Sequence, residues 1–400
     1  MDEILVINSG SSSLKFALFG APRDAELMGL KLRYRGHFAG LGSQARLTLI
    51  DSEGRRRECG EARSPLGRVP SDLDHDAALS RVLGWIEANP DLGDITAVGH
   101  RIVHGGPDYR EPLTLNSAGL TRLDALVPLA PLHQPHGLAP VRALREMRPI
   151  LPQVACFDTA FHAGQPRVAQ TCPLPRRYAE SGVRRYGFHG LSYDYISRVL
   201  PREVGGATGR TIVAHLGNGA SLCAMRDGRS VASTMGFTAL EGLMMGTRSG
   251  SLDPGLVLHL ILNQGLSAER VQHLLYKESG LLGVSGVSGD MRELLASDAP
   301  AAAEAIELFV YRIVREIGSL TAALGGLDHL VFTAGIGERA APVRAAVVEG
   351  CGWLGARLDS SANAEHATDI AAADSRLGVW VIPTDEERII AWYTARHLDD

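Results

Sequence analysis

The sequence predicts an α/β protein made of two domains on one topology, and three observations carry this. First, 400 residues are more than one usual domain, and 45% hydrophobic with 21% charged residues is an ordinary globular balance. Second, strand-like and helix-like apolar spacings are mixed along the whole chain, with no low-complexity segment or long linker. Third, a shift of 208 residues lays Ile4-Leu5-Val6 on Ile212-Val213-Ala214, Ser11 on Gly219, Ser13 on Ser221 and Leu14 on Leu222. That shift is about half the chain, although strand–turn–strand matches also arise by chance.

Taken in order, residues 4–8 and 14–19 read as strands joined by a Ser/Gly turn. Helical spacing follows at 73–88 and 135–148, then strands at 154–157 and 211–215. Helices are predicted at 254–262 and 268–277, and a long one at 301–324. In that long helix Ile306, Phe309, Val310, Ile313, Val314, Ile317 and Leu320 form one apolar stripe. A strand at 330–333 precedes Gly335, and Thr384 with Glu387 spells a capping box before a helix at 388–397.

Composition excludes several classes. A net charge of −5 advertises no nucleic-acid or membrane partner. The five cysteines (Cys59, Cys156, Cys172, Cys223, Cys351) are scattered with no CxxC spacing, so free thiols in a reducing compartment are expected. The apolar run 4–7 is far shorter than a signal h-region, and no run reaches ~18 apolar residues, so a cytoplasmic protein is expected. Only Lys15, Lys31 and Lys277 are lysines, and none lies in GxxxxGK[ST], which excludes a P-loop.

Three glycine- or serine-rich turns suit an anionic phosphate, because small residues aim backbone N–H groups and hydroxyls at one place. They are Ser9–Ser13, with Lys15 just beyond it, Gly217-Asn218-Gly219-Ala220-Ser221, and Gly335-Ile336-Gly337-Glu338. Each of the first two, taken alone, reads more readily as a plain hairpin turn. The third matches either a GxGxxA dinucleotide turn or the adenosine site of another nucleotide fold.

Longer blocks decide among these. Val6-Ile7-Asn8-Ser9-Gly10-Ser11-Ser12-Ser13-Leu14-Lys15-Phe16 resembles the N-terminal signature of the acetate kinase family. So, in the family's order, do GHRIVHGG (Gly99–Gly106), CFDTAFH (Cys156–His162), YGFHG (Tyr186–Gly190) and HLGNGAS (His215–Ser221). MGFTALEGLMMGTRSG (Met235–Gly250), SGLLGVSGVSGDMR (Ser279–Arg292), FTAGIGE (Phe332–Glu338) and TDEE (Thr384–Glu387) complete a series that runs essentially end to end. The resemblance implies two duplicated actin-like (ribonuclease H-like) ATPase domains around a central cleft. They are placed at 1–155 with the C-terminal helix 385–400, and at 156–384. It further implies reversible transfer of the ATP γ-phosphoryl group to acetate, giving acetyl phosphate and ADP, with Mg²⁺ (or Mn²⁺), in a homodimer. Propionate or another short-chain carboxylate is the alternative acceptor.

By resemblance, Arg101, Asp158, His189 and Arg248 are the catalytic set. Arg101, Val103, Leu132, His133, Phe188 and Ala239 bind the substrate. Lys15, His215, Leu216, Gly217, Asn218, Gly219, Asp290, Met291, Arg292, Gly335, Ile336, Gly337, Glu338 and Arg339 contact the nucleotide, and Asn8 with Glu386 serve the metal. The chemistry needs such groups. A carboxylate is already ionised near neutrality, so the work is to hold two anions together and neutralise the phosphoryl charge. Departures from the family pattern include Leu191, Tyr193, Ser251, Gln134, Arg339 and Ala232-Ser233-Thr234. Ala239 replaces a usual proline, which either widens the acyl pocket or is a tolerated turn substitution.

Two other classes fit less well. A nicotinamide oxidoreductase needs an acid about 20 residues past its glycine turn, and Glu349, in the predicted helix, comes too early. A non-catalytic actin-like ATPase has no use for Arg101, His189 and Arg248 together.

Overall fold

The computed structural model describes residues 3–20, 22, 25–59, 66, 69–89 and 91–398, without the side chains of 57–59. The chain packs as two compact units. One holds Met1–Ala160 and Asp385–Asp400, the other Phe161–Thr384.

The first unit is built on β1 (Glu3–Gly10), β2 (Ser13–Gly20), β3 (Lys31–Ala39), β4 (Arg46–Asp51), β5 (Arg56–Cys59), β6 (Ile95–Ile102), β7 (Leu113–Thr114) and β8 (Gln153–Phe157). Their order is β5-β4-β3-β2-β1-β6-β8-β7. The strands β1 to β5 form an antiparallel meander, and β1, β6 and β8 run parallel. Strand alternation sends Leu5, Ile7, Phe16, Leu18 and Phe38 into a core closed by the helix His75–Glu87, whose Trp85 packs edge-on against Phe16. The other face carries Gly99, where a β-carbon would overlap Thr394 and Ile390. Glycine there lets the helix Glu386–Arg396 lie flat on β6.

The second unit uses β9 (Arg210–Leu216), β10 (Ala220–Arg226), β11 (Arg229–Ser233), β12 (His329–Thr333) and β13 (Gly378–Val381), ordered β11-β10-β9-β12-β13. Here β9, β10 and β11 are antiparallel, while β9, β12 and β13 run parallel. This reproduces β3-β2-β1-β6-β8, so the two units share one five-strand frame. The 208-residue shift does not hold across the hairpin, however. Ile4 pairs Phe19, whereas Ile212 pairs Ala224 and not Asp227. The second hairpin is three residues shorter, so the coincidences Ser13/Ser221 and Leu14/Leu222 are not register equivalences.

The long helix is Pro300–Leu324, and its Phe309, Ile313, Ile317 and Leu320 are buried while Ile306, Val310 and Val314 are only half-buried. Helix Pro254–Leu262 forms as its spacing predicts yet buries nothing; Leu256, Leu258 and Leu262 are 44%, 55% and 74% exposed. Among the described residues no helix is long and apolar enough to cross a membrane. Cys156, Cys172, Cys223 and Cys351 are free, and the side chain of Cys59 lies outside the described residues.

Two local expectations are overturned. Gly335-Ile336-Gly337-Glu338 is not a turn but the body of a short helix, Ala334–Arg339. The sharp bend is Ala334 itself, at φ 65°. The C-terminal helix starts at Glu386, and its cap is Asp385, whose carboxylate accepts the Arg388 N–H at 3.1 Å. Thr384 lies one residue too early, and no capping box forms.

Candidate active site

In the first unit the polar groups gather where β1, β2, β6 and the start of Glu386–Arg396 meet. Asn8 and Lys15 are cross-strand partners, and Lys15 in turn is opposite His37, so the three share a face. Arg101 ends β6. Its Nε and Nη2 donate to the two oxygens of Asp158 at 3.0 and 2.6 Å, and its Nη1 donates to Asn8 Oδ1 at 3.3 Å. Glu386 stands 3.7 Å from the same guanidinium.

Asp158 is 2% exposed and Arg101 22%. Burial alone would lower the Arg101 guanidinium, but Asp158 and Glu386 more than offset this and hold it charged. Burial pushes the Asp158 carboxyl up, while the Arg101 fork opposes that. Glu387 is half-buried beside Arg35, 3.7 Å away, and its partial burial raises its carboxyl. Arg35 also donates to Asp385 at 2.6 Å, a tie between β3 and the helix cap that sequence reading missed. Val103 is half-buried and Leu132 38% exposed. His133 stands at the N-terminus of helix Gln134–Met147.

In the second unit the hairpin turn Gly217–Gly219 is the meeting point. His189 caps the helix Gly190–Glu203 with left-handed backbone, φ 58°, an unusual conformation for a non-glycine residue. Its ring stacks on His215 with centroids 4.1 Å apart. A β-carbon at Gly219 would sit 3.3 Å from His189 Nε2 and 3.5 Å from Arg248 Nη2, so glycine is what admits both groups to the turn. Arg248 Nη1 donates to the Ala239 carbonyl at 2.8 Å. Phe188 is 2% exposed, with its carbonyl accepting from His162 Nε2 at 2.9 Å.

The remaining nucleotide candidates divide by burial. Leu216 and Met291 have core side chains and offer only backbone to a ligand. Asp290 caps helix Met291–Leu295 and pairs with the exposed Arg292, which draws its carboxyl down. Gly335 and Arg339 are exposed, Ile336 is half-buried, and Glu338 Oε1 accepts the Thr384 N–H at 3.2 Å. Gly337 packs against Phe332 and the Ala214 carbonyl.

Beneath this short helix lies Arg344, fully buried and without a carboxylate partner among the described residues. Its donors are met by the carbonyls of Gly337, Glu338 and Asn363, by Asn363 Oδ1, and by His366 Nδ1, all at 2.8–2.9 Å. The sequence held a signal for it. Arg344 falls in phase with Val347 and Val348 on the buried stripe of helix Ala341–Gly350, a place where an arginine must be satisfied locally.

The sequence profile of the acetokinase family matches residues 3–392. The chain belongs to the acetokinase family. It is 51% identical over 402 residues to an acetate kinase of Rhodopseudomonas palustris, covering 100% of this chain and 99% of that one. An acetate kinase of Rhizobium meliloti is 49% identical, covering 98% of each. Among solved structures, a propionate kinase from Francisella tularensis superimposes with a TM-score of 0.89 at 34% identity, covering 98% of this chain and 99% of that one. An acetate kinase from Porphyromonas gingivalis gives 0.86 at 35% identity, with full coverage of both.

Proposed function

We propose that this acetokinase-family protein is an acetate kinase, moving the γ-phosphoryl group of ATP to acetate and back. The observation that carries the reading is the convergence of His189 Nε2 and Arg248 Nη2 on the Gly219 turn. Two preorganised donors beside a glycine turn suit a phosphoryl group whose charge grows on its outer oxygens. Acetate needs no general base, since carboxyl groups of pKa about 4 are ionised at neutrality. It needs a cation and a fixed direction of attack. Arg101, held by the fork to Asp158, supplies both in the first unit.

A metal is proposed at Asn8 and Glu386. The donors are oxygens, as Mg²⁺ requires, and among the described residues no group of three His, Cys, Asp or Glu could form an all-protein cage. That suits an ion that keeps waters and shares substrate phosphates. When bound, it would neutralise phosphate charge. Asp158 orients Arg101 and takes no proton in this reading.

The nucleotide candidates of the second unit are His215 with the Gly217-Asn218-Gly219 turn, the 290–292 segment and the Ala334–Arg339 helix, and that of the first is Lys15. The apolar candidates for the acetate methyl are Val103 and Leu132 in the first unit, and Phe188 and Ala239 in the second. The two units are read as the two actin-like domains, on the strength of their common five-strand frame. A homodimer is favoured by the uncovered apolar side chains of helix Pro254–Leu262. A cytoplasmic location accords with the free thiols.

Incubation with ATP, Mg²⁺, acetate and hydroxylamine tests the reading. An acetyl phosphate product yields acetohydroxamate, and ADP release without hydroxamate would overturn it. Propionate is the second reading, favoured by Ala239 in place of a ring, and its hydroxamate yield in the same assay measures it.

A further inference from the structure

His189 can serve as a phosphoryl-facing donor while neutral only if the ring hydrogen sits on Nε2, and its other nitrogen shows how this is arranged. His189 Nδ1 lies 2.8 Å from Ser221 Oγ, and Tyr193 Oη lies 2.5 Å from the same oxygen. Ser221 and Tyr193 are both fully buried. Ser221 has one hydrogen to give and two lone pairs, and Tyr193 has one hydrogen.

Only one arrangement satisfies every buried hydrogen. If Nδ1–H donated to Ser221, the serine hydrogen would go to Tyr193 and strand the tyrosine hydrogen, or Tyr193 would also donate to Ser221 and strand the serine hydrogen; three hydrogens would share two contacts, and one would go unmet. If instead Tyr193 donates to Ser221, then Ser221 donates to Nδ1, and the ring hydrogen is forced onto Nε2. An unmet buried donor costs about 1–3 kcal/mol, enough to choose between the two tautomers. Burial also raises the Tyr193 phenol well above its usual value, so it keeps its proton.

We infer that Tyr193, acting through Ser221, is a positioning residue that holds His189 in the tautomer with hydrogen on Nε2, the nitrogen beside Gly219 and Arg248. Helix Gly190–Glu203 makes this possible, because its first turns carry Tyr193 back beneath His189 while Ser221 reaches up from β10. The same turn carries Ser192, which is bonded to His215 Nδ1 at 2.8 Å and steadies the ring stacked on His189. The tautomer claim stands on the hydrogen-bond geometry alone. Only its consequence for rate rests on the proposed role of His189.

The test is long-range proton–nitrogen NMR of ¹⁵N-histidine-labelled protein, with the His189 signals assigned by their loss in His189→Gln. The wild type is expected to show Nδ1 as the bare nitrogen and Nε2 as the protonated one. Tyr193→Phe keeps the ring volume, and it is expected to mix the tautomers without lowering thermal stability much. Ser221→Ala, which removes the direct partner, is expected to mix them further. In both, kcat should fall about ten- to a hundred-fold, by analogy with other residues that orient a functional imidazole, with KM for ATP and acetate little changed. Unchanged nitrogen shifts in Tyr193→Phe and Ser221→Ala would overturn the positioning role. Mixed tautomers with normal turnover would uphold it and remove His189 from catalysis instead.

Discussion

The two units share a frame, and the groups around their candidate site residues are satisfied by different means. In the first, charges are matched by charges: Arg101 against Asp158 and Glu386, Arg35 against Asp385 and Glu387. In the second, three groups around the glycine turn and the short helix lean on neutral partners: His189 on Ser221, His215 on Ser192, and Arg344 on carbonyls, an amide and an imidazole. The hairpins differ in the same sense. The first closes over two exposed serines, Ser11 and Ser12, while the second uses Gly217–Gly219 and admits side chains to its backbone. A paired charge stores its cost in its partner, so removing one side of it should damage the fold as well as the chemistry.

That difference separates the two arginines. Arg248→Ala and Arg101→Ala are each expected to lower kcat by a hundredfold or more, the scale of lost preorganised donors. Arg101→Ala should also lose ~3–5 kcal/mol of stability, because it strands the buried Asp158 carboxylate. Paired turnover and denaturation curves check this. Equal stability losses in the two variants would erase the contrast, and normal turnover in either would remove that arginine from the mechanism.

Acid should strike both units through histidines. His100, bonded to Gln153, and His162, bonded to Phe188 and Ser230, are both fully buried, and burial lowers each from the ordinary 6.5 to about 4. The unfolded chain takes up these protons as pH falls through 6.5, whereas the folded one does not until about pH 4. Their contribution is therefore complete above pH 6.5 and lost on the way down to 4, up to about 3 kcal/mol for each. Urea midpoints at pH 7 and 4.5 should fall less in His100→Gln than in the wild type. Identical falls would refute the assignment.

The start of the C-terminal helix gives a smaller effect. Glu386→Gln should raise the Mg²⁺ concentration needed for half-maximal rate, whereas Asp385→Ala should mainly destabilise, by ~1 kcal/mol for the lost cap. Titrating Mg²⁺ in both variants separates metal ligand from cap. Superimposable curves would contradict the division.

Much of this was legible in the sequence. Ser267 before an apolar, amphipathic run defines helix Ala268–Lys277, and the first hairpin follows from alternating apolar residues around serines. Other features were not, for physical reasons. Thr384 and Asp385 are both good cap residues one position apart, and only tertiary ties such as Arg35 to Asp385 select the second. Ser221 looked like part of a glycine turn; its role depends on the helix that brings Tyr193 to it. β3 alternates Lys31, Arg33, Arg35 and His37 with less polar residues, β5 opens on Arg56-Arg57-Glu58, and β3 to β5 lie toward one sheet edge, where no long apolar run marks them.

The smallest effect concerns the acyl group. Ala239→Pro adds ring carbons beside the carbonyl that anchors Arg248, and one methylene in an apolar pocket is worth about 1–3 kcal/mol of discrimination. The ratio of kcat/KM for acetate over propionate should rise in the proline variant. An unmoved ratio would show that Ala239 does not set substrate size.

The most direct measurement follows phosphorus NMR during turnover of ATP with ¹⁸O-labelled acetate and Mg²⁺. If an acetate oxygen attacks the γ-phosphorus, an acyl phosphate resonance appears, displaced by the isotope bonded to phosphorus, in step with the loss of ATP. Release of unlabelled inorganic phosphate alone, with no acyl phosphate at any time, would contradict phosphoryl transfer to acetate.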